Sequence, residues 1–148
     1  MSKSNKYCES LTKYQRRKSR VVQIGNIPLG GNHAIRVQSM TTTNTMDTQA
    51  TVDQSIRMIK AGCEYVRITA PSIKEAQNLV NIKLQLRKKG YTTPLIADIH
   101  FTPNAALEAA RIVEKGRINP GNFADRKKFQ KIEYTDRSYN NELERIHD

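Results

Sequence analysis

An α/β fold built on a parallel sheet is what this sequence predicts, and three observations carry the prediction. Short apolar runs alternate with stretches of helical period from residue 35 onward. The runs begin near residues 35, 65, 95 and 116, a spacing close to one strand–helix unit with the last unit compressed. Helix start and stop signals fall in the gaps between them. Strands separated by helices in this rhythm argue for parallel neighbours joined by right-handed crossovers.

The elements follow in order. In RVVQIGNIPLGGNHAIRVQSM, a hairpin is expected with Val21, Val22 and Ile24 in one strand and Ile35 and Val37 in the other. Leu29-Gly30-Gly31-Asn32 would supply its positive-φ turn. The same glycines fit neither GxGxxG nor the GxxxxGK phosphate loop, so the turn reading is preferred. The polar loop QSMTTTNTMD ends in Asp47, the expected N-cap of a helix whose stripe is Val52, Ile56 and Ile59 and whose end is Gly62. EYVRIT is the next strand. Ser72 and Glu75 have capping-box spacing, and the second helix runs through Ala76, Leu79, Val80 and Leu86 to Gly90. PLIADI is the third strand. Thr102 as N-cap and Pro103 at the first helical position open the third helix, with Ala106, Ala109, Ala110 and Val113 as its stripe. GRIN is a short fourth strand, and the charged tail holds one helix from about Ser138.

Composition limits the function classes. The chain has 148 residues, enough for one modest domain, with 37% hydrophobic and 26% charged residues. No run reaches the roughly 20 apolar residues of a membrane span. With no apolar leader at the N-terminus, a cytoplasmic protein is expected. Cys8 and Cys63 form no CxxC pair, which argues against a disulfide framework or a self-contained zinc or iron–sulfur site. Cys63 reads as an inert core thiol.

Net charge is +11, and in the first twenty residues seven lysines and arginines stand against Glu9 alone. Such a run suits an acidic surface or nucleic acid. Without stacking aromatics or a reader motif, a solvated basic leader is the preferred reading and nucleic acid is not expected as a partner.

Ligands of parallel α/β folds gather at the carboxyl ends of the strands. Those ends carry Gln38 and Ser39, then Arg67, then Asp98 and His100, then Arg117 and Asn119, followed by Pro120-Gly121-Asn122. Each alone has a plain explanation: Arg67 as a surface strand residue, His100 as a structural histidine, Asn119 and Asn122 as turn builders. Their shared placement favours a site. Arg67 and Arg117 offer forked donors for phosphate oxygens, and Asn119 and Asn122 add neutral ones. Asp98 and His100, two apart, share a strand face. A carboxylate beside an imidazole favours the protonated ring, a further phosphate partner or proton donor. The set suggests an anionic, phosphorylated small molecule.

VQSMTTTNTMDTQATVDQ, AGCEYVRIT, PLIADIHFTPNAALEAA and RINPGNFADR together resemble the 4-hydroxy-3-methylbut-2-en-1-yl diphosphate synthase family of the non-mevalonate isoprenoid pathway. The likeness runs from about Arg20 to Asp148, and the extension NFADRKKFQKIEYTDRSYNNELERI looks like the long three-domain form. It implies the N-terminal half of a (β/α)8 TIM barrel over 20–122, after a basic leader at 1–19 and before a charged extension at 123–148. It implies an oxidoreductase that reductively opens 2-C-methyl-D-erythritol 2,4-cyclodiphosphate. Electrons would come from flavodoxin or ferredoxin through a 4Fe-4S cluster, in a homodimer when complete. It places Arg67, Asp98, His100, Arg117, Asn119 and Asn122 at the substrate-binding mouth, with Gln38 and Ser39 beside them.

The family's cluster is held by three cysteines and a glutamate of a C-terminal domain, and neither cysteine here matches a cluster motif. No metal site is therefore expected in this chain, and the chain alone is expected to be a truncated, inactive fragment. Gly116 stands where the family has a bulky apolar strand residue. Two other readings remain: a dihydropteroate-synthase-like barrel for a phosphorylated or pterin ligand, and a non-catalytic basic interaction module.

Overall fold

The computed structural model describes residues 10, 12–13, 18–119 and 133–147. These fall into two compact units divided between Arg36 and Val37.

In the first unit, β1 (Val22–Ile24) and β2 (Ile27–Leu29) pair antiparallel, with Val22 opposite Leu29 and Ile24 opposite Ile27. The hairpin is therefore tighter than expected and turns at Gly25-Asn26. Gly25 has φ +58°, at the position where a two-residue hairpin turn takes glycine. Gly30 and Gly31 are not the turn. They follow β2 and bring the chain against residues 19–21, where a Cβ on Gly30 would lie 2.3 Å from the Arg20 carbonyl oxygen. Ile35 lies outside any strand, and the Val37 carbonyl accepts the backbone N–H groups of Glu64 and Tyr65.

The second unit is a four-stranded parallel sheet, β3 (Gln38–Met40), β4 (Tyr65–Thr69), β5 (Leu95–Ile99) and β6 (Lys115–Ile118), in that spatial order. Helices α1 (Thr48–Lys60), α2 (Ile73–Lys88) and α3 (Pro103–Ala110) connect successive strands. Val66, Ile68 and Ala70, and Leu95, Ala97 and Ile99, alternate along their strands to one face. There they meet Val52, Leu79, Ile82, Leu86 and Ala109 of the helices in a single core. The strand and helix pattern matches the half-barrel expectation.

Local chemistry sets the helix ends. The Asp47 carboxylate accepts the Ala50 N–H at 3.0 Å, and Gly62 (φ +99°) follows the end of α1. The Ser72 hydroxyl accepts the Lys74 N–H and donates to the Glu75 carboxylate, which burial raises in pKa less than the Ser72 hydroxyl and nearby N–H bonds lower it. Thr102 stands at the N-cap of α3 but does not cap it, because its hydroxyl donates to the Pro71 carbonyl at 3.2 Å. The last described helix, α4 (Asp136–His147), starts two residues earlier than expected because the Thr135 hydroxyl accepts the Ser138 N–H.

Candidate functional site

Register places the polar strand residues on the sheet face away from α1–α3. Thr69, Asp98 and Arg117 form one row across β4, β5 and β6. Met40, Arg67, Ile96 and Lys115 form the row beneath. Gln38 pairs with Tyr65 and shares this face. Ser39 pairs with Val66 on the other side of β3 and is exposed.

Asp98 is the centre of the row. It is 1% exposed, and both its oxygens are engaged. Oδ2 accepts from Arg67 Nη2 at 2.6 Å and from His100 Nε2 at 3.1 Å, while Oδ1 accepts from Arg117 Nη1 at 3.0 Å. Burial pushes the carboxyl pKa up, but the Arg67 hydrogen bond and charge, then Arg117 and His100, hold it below the ordinary carboxylate value. It is therefore ionised at neutral pH, so the His100 Nε2–H donates to it and the ring orientation is set by that bond. The ring also lies 5.8 Å from that of Phe101. Three of the expected site residues thus converge on a fourth. Asn119 follows β6 and is half-buried, and Asn122 lies outside the described residues.

The loop between β3 and α1, at the same end of the sheet, is held by side chains. Gln54 Oε1 accepts the N–H groups of Thr42 and Thr43 at 3.0 and 3.2 Å, and its Nε2 donates to the Thr42 hydroxyl at 3.0 Å. Buried Asn78 donates to the Thr45 carbonyl at 2.7 Å, and the Thr45 hydroxyl donates to the Thr69 carbonyl at 2.6 Å. Sequence reasoning missed this clamp, because its partners lie 11 to 33 residues apart.

A second carboxylate cluster, also unforeseen, sits at the opposite end of β5. Glu114 Oε2 accepts the Leu95 N–H at 2.8 Å, and Oε1 accepts from Lys83 at 2.9 Å and Arg87 at 3.1 Å. Burial pushes the Glu114 pKa up, but the Leu95 bond and Lys83 bring it below the ordinary value. The basic partners spend their other donors on backbone carbonyls, Lys83 on Ile112 and Arg87 on Tyr91 and Thr93.

Among the described residues no three of His, Cys, Asp and Glu converge to hold a metal ion. Cys63 is a free thiol, half-buried between α1 and β4. These described residues do not fit an iron–sulfur cluster.

Comparison with known proteins agrees with this architecture. Residues 19–143 match the family model described as the GcpE TIM-barrel domain. The chain is 59% identical over 134 residues to the 4-hydroxy-3-methylbut-2-en-1-yl diphosphate synthase (flavodoxin) of Parabacteroides distasonis, covering 90% of this chain and 22% of the relative. It is 52% identical to the protein of that name from Protochlamydia amoebophila, over 95% of this chain and 22% of the relative. It is 49% identical to the chloroplastic ferredoxin form of Oryza sativa, over 95% of this chain and 19% of the relative. The chain thus spans about a fifth of the length of these relatives. With the parallel sheet, the row of strand-end residues and a match over most of its length in agreement, the chain belongs to the GcpE TIM-barrel family.

Proposed function

We propose that this chain carries the anion-holding part of a flavodoxin- or ferredoxin-dependent 4-hydroxy-3-methylbut-2-en-1-yl diphosphate synthase, and that its ligand is 2-C-methyl-D-erythritol 2,4-cyclodiphosphate. One observation supports this best. Asp98 is buried and Glu114 half-buried, each between two basic side chains, but only the basic partners of Glu114 also donate to backbone carbonyls. At Asp98, Arg67 Nη2 and Arg117 Nη1 each give one described bond to the same carboxylate; Arg67 Nε is buried without a partner, and the two side chains stay 24% and 37% exposed. Two guanidiniums against one carboxylate leave a net positive centre with open donors, the requirement for phosphate oxygens.

In this reading Arg67 and Arg117 donate to the diphosphate, and Asp98 touches no ligand. It aims both guanidiniums and the His100 ring, which faces the same ligand. Asn119, Asn122 and Gln38 border the anion. The 20–122 segment is the partial barrel, with 1–19 a basic leader and 123–148 a charged extension. The complete enzyme is a homodimer, with electrons from flavodoxin or ferredoxin and a 4Fe-4S cluster outside the described residues.

Isothermal titration of the purified chain with the cyclic diphosphate tests the reading. Binding is expected, weakened at least about tenfold by Arg67→Ala or Arg117→Ala, in line with the worth of a charge-assisted bond. Equal affinity in wild type and both variants would overturn it.

A further inference from the structure

The charged groups of the site face stand on three of its four strands. On β6 it presents Lys115 and Arg117, on β5 buried Ile96 and Asp98 with His100 beyond them, and on β4 Tyr65, Arg67 and Thr69. On the β3 side it presents Gln38 and Met40, both uncharged. Met40 lies directly opposite Arg67, one strand spacing of about 4.8 Å away. Met40 is 42% exposed, in keeping with β3 as an edge strand whose three residues are all exposed. The Thr69 hydroxyl points to the Met40 sulfur at 3.9 Å, and Thr69 itself is the register neighbour of Asp98. The thioether thus sits on the strand next to that of Arg67, against Thr69, while the loop after it is clamped by Gln54.

A ligand that is anionic throughout would gain nothing from an exposed thioether next to Arg67. A ligand with an anionic end and a carbon end would gain on both sides of that row. Methionine suits the second task, since its flexible, polarisable side chain fits irregular apolar shapes.

We infer that Met40, steadied by Thr69, is a specificity residue that seats the carbon skeleton of the ligand whose anionic groups Arg67 and Arg117 hold. This rests on the anion reading above. Titration of the full 148-residue chain with two ligands, inorganic pyrophosphate and the cyclic diphosphate, separates the two ideas. Met40→Ala is expected to weaken the cyclic diphosphate about tenfold, the usual worth of a few apolar atoms in a binding site, and to leave pyrophosphate within about twofold. Met40→Leu, which conserves volume, is expected to restore the cyclic diphosphate. Equal loss for both ligands, or no loss for either, overturns the role of Met40 and leaves the anion site standing. If the wild-type chain binds neither ligand, the anion reading falls and Met40 falls with it.

Discussion

Asp98→Asn isolates the central carboxylate with the smallest change of shape. The wild-type side chain is 1% exposed and accepts three hydrogen bonds, two of them from arginines. The amide would remove the negative charge and turn one oxygen into a donor facing donors. Removing one member of a buried ion pair costs about 3–5 kcal/mol when the partner is left dry. Here the partners are 24% (Arg67), 36% (His100) and 37% (Arg117) exposed, so water recovers part of that. A loss of about 2 kcal/mol at pH 7 is the working value.

Urea unfolding followed by circular dichroism would show this as a midpoint lower by roughly 1 M with an unchanged slope. The pH dependence adds a sign test. The Asp98 pKa is depressed in the folded chain, so its contribution is complete above the ordinary carboxylate range and is lost as pH falls through the folded value. The gap between wild type and Asp98→Asn is therefore widest at neutral pH and closes below about pH 4. Glu75 and Glu114, also depressed, are common to both proteins and cancel in the difference. A gap under about 0.5 kcal/mol at pH 7, or one that stays constant into acid, would refute the reasoning.

Three further perturbations follow from the same geometry. Glu114→Gln removes the anchor of Lys83, Arg87 and the Leu95 N–H, and is expected to cost about 2 kcal/mol in urea unfolding while leaving pyrophosphate affinity unchanged. Gly116→Ala is expected to stabilise by about 0.4–1 kcal/mol, read as a raised urea midpoint, because φ there is not positive and a Cβ meets nothing within 4 Å. Gln54→Ala opens the clamp on the β3–α1 loop; amide exchange at Thr42 and Thr43 should accelerate at a global cost near 1 kcal/mol.

Most of the fold was legible in the sequence because its signals are local. Asp47, Ser72 and Gly62 mark helix ends within a few residues of the stripes they bound, and the apolar runs of β4 and β5 have no competing period. The hairpin was misread because two glycine signals compete within seven residues. Gly25-Asn26 leaves a two-residue connection, whereas Gly30 and Gly31 are there for a close approach that only the folded chain reveals. Arg67, Asp98, His100 and Arg117 were singled out from strand-end position, and the structure brings the four side chains together. The place of Met40 beside Arg67 needed the inter-strand register, and Glu114 needed three elements brought together. Neither leaves a trace at short sequence range.

The same topology explains how the Asp98 cluster can form in a stretch equal to about a fifth of its relatives. In a parallel sheet with right-handed crossovers, consecutive units deliver their strand ends side by side. Thr69, Asp98 and Arg117 come from β4, β5 and β6, three successive strands, and Arg67 from the same β4. No contact among these four side chains requires a residue outside residues 67–117. The local row thus assembles with the half-sheet, and Asp98 holds two like charges together before any ligand arrives. Under the proposed anion reading, the orientation cost of phosphate binding is then met during folding, the usual route by which preorganisation raises affinity.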